Sequence, residues 1–476
     1  MRRAAEQPAI LSEMHGSLDG AVVRPPDAPA RLRRDGRLRV GSLAVDVALV
    51  SGLSLALGLF RLGAPSFWVD EAFTAREMGS SVARYIEVYH WLYYSLLRPW
   101  TELVGTGEWA LRFPSVVGAM AASGLIVVLG RKLFDRRVGL AAGLVLAVNP
   151  LVVQWSQQAR GYTFMVALAV LATLLLVRAL ELGTRSGWAI YGVAFTALVV
   201  WHPVAGTLLV PAHSVLALQR RERVLPHGLL AVVIVGALGV PWAAQLAMRS
   251  TGEGAAMNWL KAPSAKVVGQ TFVDISGLAG LGALLALVAL ALLLRARESR
   301  TAAWLATWAV GPFVVALLVS IGRPIFLDRY LLVAAPAFAL LAGVALVRSS
   351  PRYRAPLVAL VLVVTVVGLV QWYGKSDGNW RGEDWRGAVA MVQDRRGEAG
   401  AILVVPWSAA PAARYYGADV QDVSTADSIW VLRWSESAGE GMTPSERRAL
   451  GFGEHELVER QQFGWRVSAQ LWRRPG

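Results

Sequence analysis

Residues 330–347 read YLLVAAPAFALLAGVALV, and none of them carries a charge. As an α-helix this stretch would be roughly 27 Å long, close to the thickness of a bilayer's hydrocarbon core. Its two ends differ. Asp328 and Arg329 precede it, while Arg348, Arg352 and Arg354 follow it. Apolar blocks of similar length lie on both sides, at 41–60, 113–130, 162–180, 229–247, 276–294, 302–320 and 355–373. Three more, 138–155, 188–202 and 204–219, are shorter or interrupted. Hydrophobic residues make up 55% of the chain and charged ones 17%, too few charges for a soluble domain of this length. The pattern predicts a polytopic α-helical membrane protein with about eleven transmembrane helices.

A net charge of +14 raises the question of nucleic acid. The cations do not form a basic face with interleaved aromatics, as nucleic-acid binding requires, so no nucleic-acid partner is expected. Arg and Lys instead cluster in short linkers between apolar blocks, at 131–137, 220–228, 295–301 and 348–354. That is the positive-inside pattern. It places the N-terminal tail 1–40 in the cytoplasm, as a disordered segment with no cleaved signal peptide. It places 61–112, 156–161, 248–272 and 321–329 outside. A segment 374–476 follows the last block and changes character. Helical periodicity over 384–396 precedes the apolar run 401–406, and a second helical stretch follows at 411–416. The run 428–434, a helix start at Thr443-Pro444-Ser445-Glu446 and alternating strands at 456–462 and 464–472 complete it. This predicts a small extracytoplasmic α/β domain after a transmembrane domain over 41–373. There are no cysteines, and so no disulfide or Cys-based metal site. The Ala- and Arg-rich composition, with few lysines, points to a high-GC bacterial genome and hence to the bacterial plasma membrane.

The outer segments hold the residues suited to chemistry. The first is about fifty residues long, well beyond the usual loop length. It opens with Phe67-Trp68-Val69-Asp70-Glu71-Ala72. Adjacent carboxylates at the mouth of a membrane cavity can act as a base or hold a cation. In the alternative reading, Asp70 caps the following helix and Glu71 sits in its first turn. The aromatic stretch 85–100 contains His90 and Tyr94 and suits either an interfacial helix or a lid over a lipid-facing cavity. The second outer loop reads Gln157-Gln158-Ala159-Arg160-Gly161-Tyr162, and its guanidinium matches a phosphate or anchors at the interface. His202-Pro203 reads as a structural turn. Arg329 and Tyr330 close the last outer loop, where Arg329 can grip a lipid phosphate or snorkel.

The order of these motifs resembles the GT-C membrane glycosyltransferases, in particular the family 39-like group. That group includes protein O-mannosyltransferase-like, aminoarabinose-transferase-like and rhizobial lipopolysaccharide-transferase-like enzymes. The resemblance rests on Trp68-Val69-Asp70-Glu71-Ala72, Tyr93-Tyr94, the run Gly107 to Ser115, Gly130-Arg131-Lys132-Leu133-Phe134, Asn149-Pro150 and Ser156 to Tyr162. It is strongest over 40–220, and it touches the C-terminal segment at Asp384-Trp385-Arg386 and Arg414-Tyr415-Tyr416. It implies transfer of a sugar from a polyprenyl-phosphate carrier to a glycan, lipid or protein acceptor on the extracytoplasmic side. It also implies Asp70 as catalytic base, with Glu71 tuning it or helping to bind a cation. Arg160 and Arg329 are the matching candidates for the donor phosphate. His90, Tyr94, Gln157, Tyr162 and Tyr330 are the candidates lining the substrate cavity. His90 lacks the proline that follows this histidine in many relatives. Gln158 stands where they often have Glu. No obligatory cofactor is therefore expected, and a divalent metal is left open.

The competing class is a multi-pass transporter or lipid flippase. Transporters place ionisable residues near the midplane, often at broken helices. Here the centres of the apolar blocks carry almost no charge, with Asp46 the nearest exception.

Overall fold

The computed structural model describes residues 40–80, 90–224, 227–249, 260–374, 382–395, 400–420, 426–435 and 442–475. The expected disordered tail, apart from its last residue, and residues 85–89 of the aromatic stretch lie outside the described residues. Each of the eleven apolar blocks coincides with helical chain. Seven described helices are long and apolar enough to cross a membrane by themselves, or eight if the bent pair Arg136–Ala147 and Pro150–Ser156 is one span. Two further apolar segments, Pro203–Leu218 and Gly228–Ala244, are shorter.

The helices that build the site are α1 (Val40–Leu59), α2 (Val69–Met78), α3 (Trp91–Val104), α4 (Glu108–Leu133) and α5 (Arg136–Ala147). They continue with α6 (Pro150–Ser156), α7 (Tyr162–Leu182), α8 (Arg185–Trp201) and α9 (Pro203–Leu218). The break between α5 and α6 is written locally. Asn149 accepts hydrogen bonds from the N–H groups of Leu151 and Val152, and Pro150 occupies the first helical position. A capped proline there starts a new helix rather than continuing the old one, and the axis turns by 60°.

With lipid outside, helix association depends on close packing rather than on hydrophobic exclusion from water. Small residues supply it along α4. A Cβ on Gly118 would stand 2.7 Å from the Phe164 backbone nitrogen of α7, and one on Gly130 would stand 2.8 Å from the Gly139 Cα of α5. The opening stretch of the sequence forms the helix Asp328–Arg348 at the centre of the bundle, 94% buried over its span, while Pro351–Gly374 is 11% buried and faces outward. At the basic end of the bundle, Asp46 of α1 binds Arg131 and Arg136, and Lys132 pairs with Glu181.

The C-terminal segment is a four-stranded mixed sheet of β1 (Ala401–Val405), β2 (Ser428–Trp434), β3 (Glu456–Phe463) and β4 (Val467–Arg473), ordered β1-β2-β4-β3. β1 runs parallel to β2, and the other pairs are antiparallel. Strand periodicity sorts its side chains. Ile402, Val404, Trp430 and Leu432 join the main core, while Ala401, Leu403, Ile429 and Val431 pack with Phe452 and Trp472 on the other face. The helices Trp385–Arg395 and Ala410–Tyr415 flank the sheet, and the latter packs against α2. The capping box read at Thr443 and Glu446 is present.

Candidate active site

The site is assembled around α2. Trp68 precedes its first turn, with Asp70 second and Glu71 third in the helix. Asp70 therefore does not cap α2. Its carboxylate points to the second loop and meets the Arg160 Nη2 at 3.0 Å. Arg160 Nη1 also donates to the Tyr94 hydroxyl at 3.2 Å. The Asp70 side chain keeps 27% of its surface exposed, so this ion pair opens to solvent on its carboxylate side.

Glu71 lies elsewhere, and the expectation that it tunes Asp70 or binds a cation does not match its surroundings. Its side chain is 1% exposed and forms a two-point pair with Arg112 of α4, with Nε to Oε1 at 2.8 Å and Nη2 to Oε2 at 2.7 Å. Arg112 also donates to the carbonyls of Leu62, Pro65 and Ser66. Glu71 accepts from the Ala159 N–H at 2.8 Å and reaches back to the Trp68 N–H. With both oxygens occupied in this way, Glu71 ties α2 to α4 and to the Arg160 loop.

That loop is pinned from four directions. Besides Glu71, Thr74 donates to the Ala159 carbonyl, Ser115 to the Arg160 carbonyl and Trp201 to the Gly161 carbonyl. Gly161 lets the loop pass close to α8, because a Cβ there would lie 3.0 Å from the Trp201 ring. Arg160 is thus a guanidinium held at a set place rather than an interfacial anchor. Burial opposes its charge, but Asp70, Tyr94 and Tyr162 outweigh that and hold its proton more firmly than usual.

Aromatic and histidine rings form the rest of the wall. The His90 ring lies 6.3 Å from Tyr94, 6.0 Å from Tyr162 and 6.1 Å from His202, while His202 stacks edge-on to Tyr330 at 4.7 Å. His202 plays the structural part expected of it, since its Nδ1 accepts from the Ala205 N–H at the start of α9. It is also part of this wall. Arg329 is buried beside Tyr330 and within electrostatic reach of Asp70 and Tyr162. Burial, then Arg160, His202 and Arg329, hold the His90 pKa well below the usual imidazole value, so the ring is neutral near pH 7.

The structure therefore brings Asp70, His90, Tyr94, Arg160, Tyr162, Arg329 and Tyr330 together from segments spread over most of the bundle. It does not bring Gln157 to them. The Gln157 amide donates to the carbonyls of Leu57, Gly58 and Phe60 and accepts from Trp372 Nε1, so it fastens α1 to Pro351–Gly374. It lines a small crevice behind Glu71 with Arg61, Ser66, Arg112 and Gln158. Among the described residues, no group of three His, Cys, Asp or Glu side chains converges in a way that would hold a metal ion.

Sequence reading missed Arg112 and Glu383. An arginine next to an apolar block, five residues into a helix, is a signal in itself. Glu383 carried none. It comes from the C-terminal module, which clasps the first loop. Phe67 N–H donates to the Tyr416 hydroxyl at 2.7 Å, Tyr416 donates to Glu108, Arg386 pairs with Glu108, and Tyr415 donates to the Thr106 carbonyl.

Residues 91–244 match the family model of the dolichyl-phosphate-mannose-protein mannosyltransferases. No curated protein matches the chain. Among solved structures, the fold is similar to ArnT from Cupriavidus metallidurans in the apo state, with a TM-score of 0.63, 15% identity and coverage of 91% of this chain and 98% of that one. The same enzyme bound to undecaprenyl phosphate superposes with a TM-score of 0.61, 16% identity and the same coverage. The Archaeoglobus fulgidus oligosaccharyltransferase tethered to an acceptor peptide matches at a TM-score of 0.50 and 11% identity, over 78% of this chain and 63% of that one. The family match covers residues 91–244, about a third of the chain, while the likeness to the ArnT fold extends over nearly its whole length.

Proposed function

We propose that the protein transfers a sugar from a polyprenyl-phosphate carrier to an acceptor hydroxyl on the extracytoplasmic face of a bacterial plasma membrane, with inversion at the anomeric carbon. In that reaction the acceptor oxygen bonds to the anomeric carbon as the bond to the phosphate oxygen breaks. The acceptor proton passes to Asp70, and polyprenyl phosphate leaves. The observation that carries the reading is a partly open carboxylate beside Arg160, with Arg329 near it, among tyrosine rings and a neutral histidine.

The two guanidiniums suit the leaving phosphate. Arg160 Nε is buried and has no partner among the described residues, so the side chain retains a donor for a further acceptor. Phosphate oxygens arriving there compete with Asp70 for the guanidinium. A carboxylate relieved of its arginine is a better base, so donor binding would raise the basicity of Asp70 just when a proton must be taken. Neutral His90 and the tyrosines offer hydrogen bonds to sugar hydroxyls without adding charge. A structure of ArnT with undecaprenyl phosphate bound supports the choice of a polyprenyl-phosphate donor. The basic linkers at the opposite end of the bundle support an extracytoplasmic site.

The test is transfer from radiolabelled polyprenyl-phosphate sugars in membranes containing the protein. Transfer dependent on the wild-type protein and absent with Asp70→Asn is expected. Wild-type rates in the Asp70→Asn variant would remove Asp70 from the mechanism. Lipid or substrate flux with no transfer would instead favour the transporter reading.

A further inference from the structure

One buried carboxylate has no part in the mechanism above. Glu383 lies at the start of the C-terminal module, and its side chain is fully buried. Its Oε2 accepts from the Val69 N–H at 3.0 Å and from Trp385 Nε1 at 3.0 Å. Its backbone carbonyl accepts from Ser66 Oγ at 2.7 Å. Arg466, at the turn between β3 and β4, stands 3.8 Å from Oε1. Val69 is the first residue of α2, and Asp70 is the next.

The first N–H groups of a helix have no partner within it, and the positive end of the helix dipole favours an anion there. A carboxylate from a residue 314 positions away fills that place for the helix that carries Asp70. The contacts of Tyr416 and Arg386 grip the loop at Phe67 and Glu108, on either side of α2, whereas Glu383 holds the backbone of the helix itself. Docking the module would not require a buried charge at this point. Burial raises the Glu383 pKa, and the donors from Trp385, Trp434 and Val69 with the Arg466 charge act against that rise.

We propose that Glu383 is a positioning residue for sugar transfer, by which the C-terminal module fixes the first turn of α2 and so the aim of the Asp70 carboxylate. This rests on the reading of Asp70 as the base. A misplacement of about 1 Å can cost roughly 100-fold in rate. Loss of the cap should therefore lower kcat while leaving donor binding, made by other segments, nearly intact.

The experiment compares kcat and donor KM, per folded molecule, for Glu383→Ala, Glu383→Gln, Val69→Pro, the double variant Glu383→Ala/Val69→Pro and Asp70→Asn. Val69→Pro removes the N–H on the helix side and keeps an apolar side chain at a half-buried position. Proline suits the first helical position, and Trp68 already has the extended backbone that precedes a proline. Glu383→Ala and Val69→Pro should each lower kcat by about 10- to 100-fold, with KM little changed. The double variant should be no worse than the poorer single one, because both remove the bond between Glu383 and the Val69 N–H. Glu383→Gln, which keeps an acceptor, should recover most of the rate.

Unchanged kcat in Glu383→Ala, or multiplying effects in the double variant, would overturn the inference. Should Glu383→Ala fail to accumulate, Val69→Pro decides alone, and wild-type kcat there overturns it. If Asp70→Asn is inactive while Glu383→Ala and Val69→Pro turn over normally, only the positioning role falls. If Asp70→Asn retains transfer, the base falls and this inference falls with it.

Discussion

The two faces of α2 carry the same chemical pair to different ends. Asp70 and Glu71 are adjacent, and each meets an arginine at 3.0 Å or less. The Asp70–Arg160 pair leaves its carboxylate partly exposed. The Glu71–Arg112 pair is bidentate, closed to water and surrounded by backbone groups that occupy its remaining atoms. A buried pair with every lone pair and proton satisfied is stable only as a pair. An open pair can exchange one partner for a ligand. Burial, rather than residue type, separates the carboxylate proposed to react from the tethering one.

The largest test of this contrast is Asp70→Asn, expected to lower transfer by roughly 100- to 10,000-fold and to leave the melting temperature in detergent close to wild type. A melting temperature that collapsed with the activity would make Asp70 a second tether. Glu71→Ala should do the reverse, leaving Arg112 buried without a counter-charge at a cost of about 3–5 kcal/mol. Thermal unfolding and the folded yield on size exclusion would register that loss. Wild-type stability with lost turnover would erase the division between the two faces.

Arg329 belongs with the open face. Its replacement by Ala should lower kcat/KM for the polyprenyl-phosphate donor by about 10- to 100-fold, the range for a hydrogen bond to a charged group. An equal loss with a neutral, phosphate-free ligand would argue for packing instead. The smallest effect concerns His90. Its native pKa lies well below 6.5, whereas the unfolded chain protonates near that value. Its contribution to stability is fully present above about pH 6.5 and is lost as the pH falls toward the depressed value. His90→Asn should flatten that part of the stability–pH curve, and an unaltered slope would show that the proton goes elsewhere.

Much of this molecule is written locally. The break at Asn149-Pro150, the capping box at Thr443 and Glu446, and the alternation in β1 and β2 are each readable within a few residues. Asp70, Arg160, Tyr162 and Arg329 could be picked out as candidates, because polar residues at the ends of apolar blocks have few structural uses, and the structure places them near one another. Gln157, expected to line the substrate cavity, stands apart from the other candidates. Its neighbours in sequence line the site, but its amide faces α1 and Trp372.

Periodicity and charge placement by themselves pointed to a chain that crosses a membrane in many helices, with a small α/β segment at its end. These are properties of short windows, since the burial of a helix or strand depends on which faces are apolar. The different surroundings of Asp70 and Glu71 were decided only in the tertiary structure. So were the tethering role of Arg112 and the reach of Glu383 to the first turn of α2. Glu71 meets partners 41 and 88 positions away, and Val69 meets one 314 positions away. Nothing in a local window specifies which distant donor will satisfy a buried carboxylate.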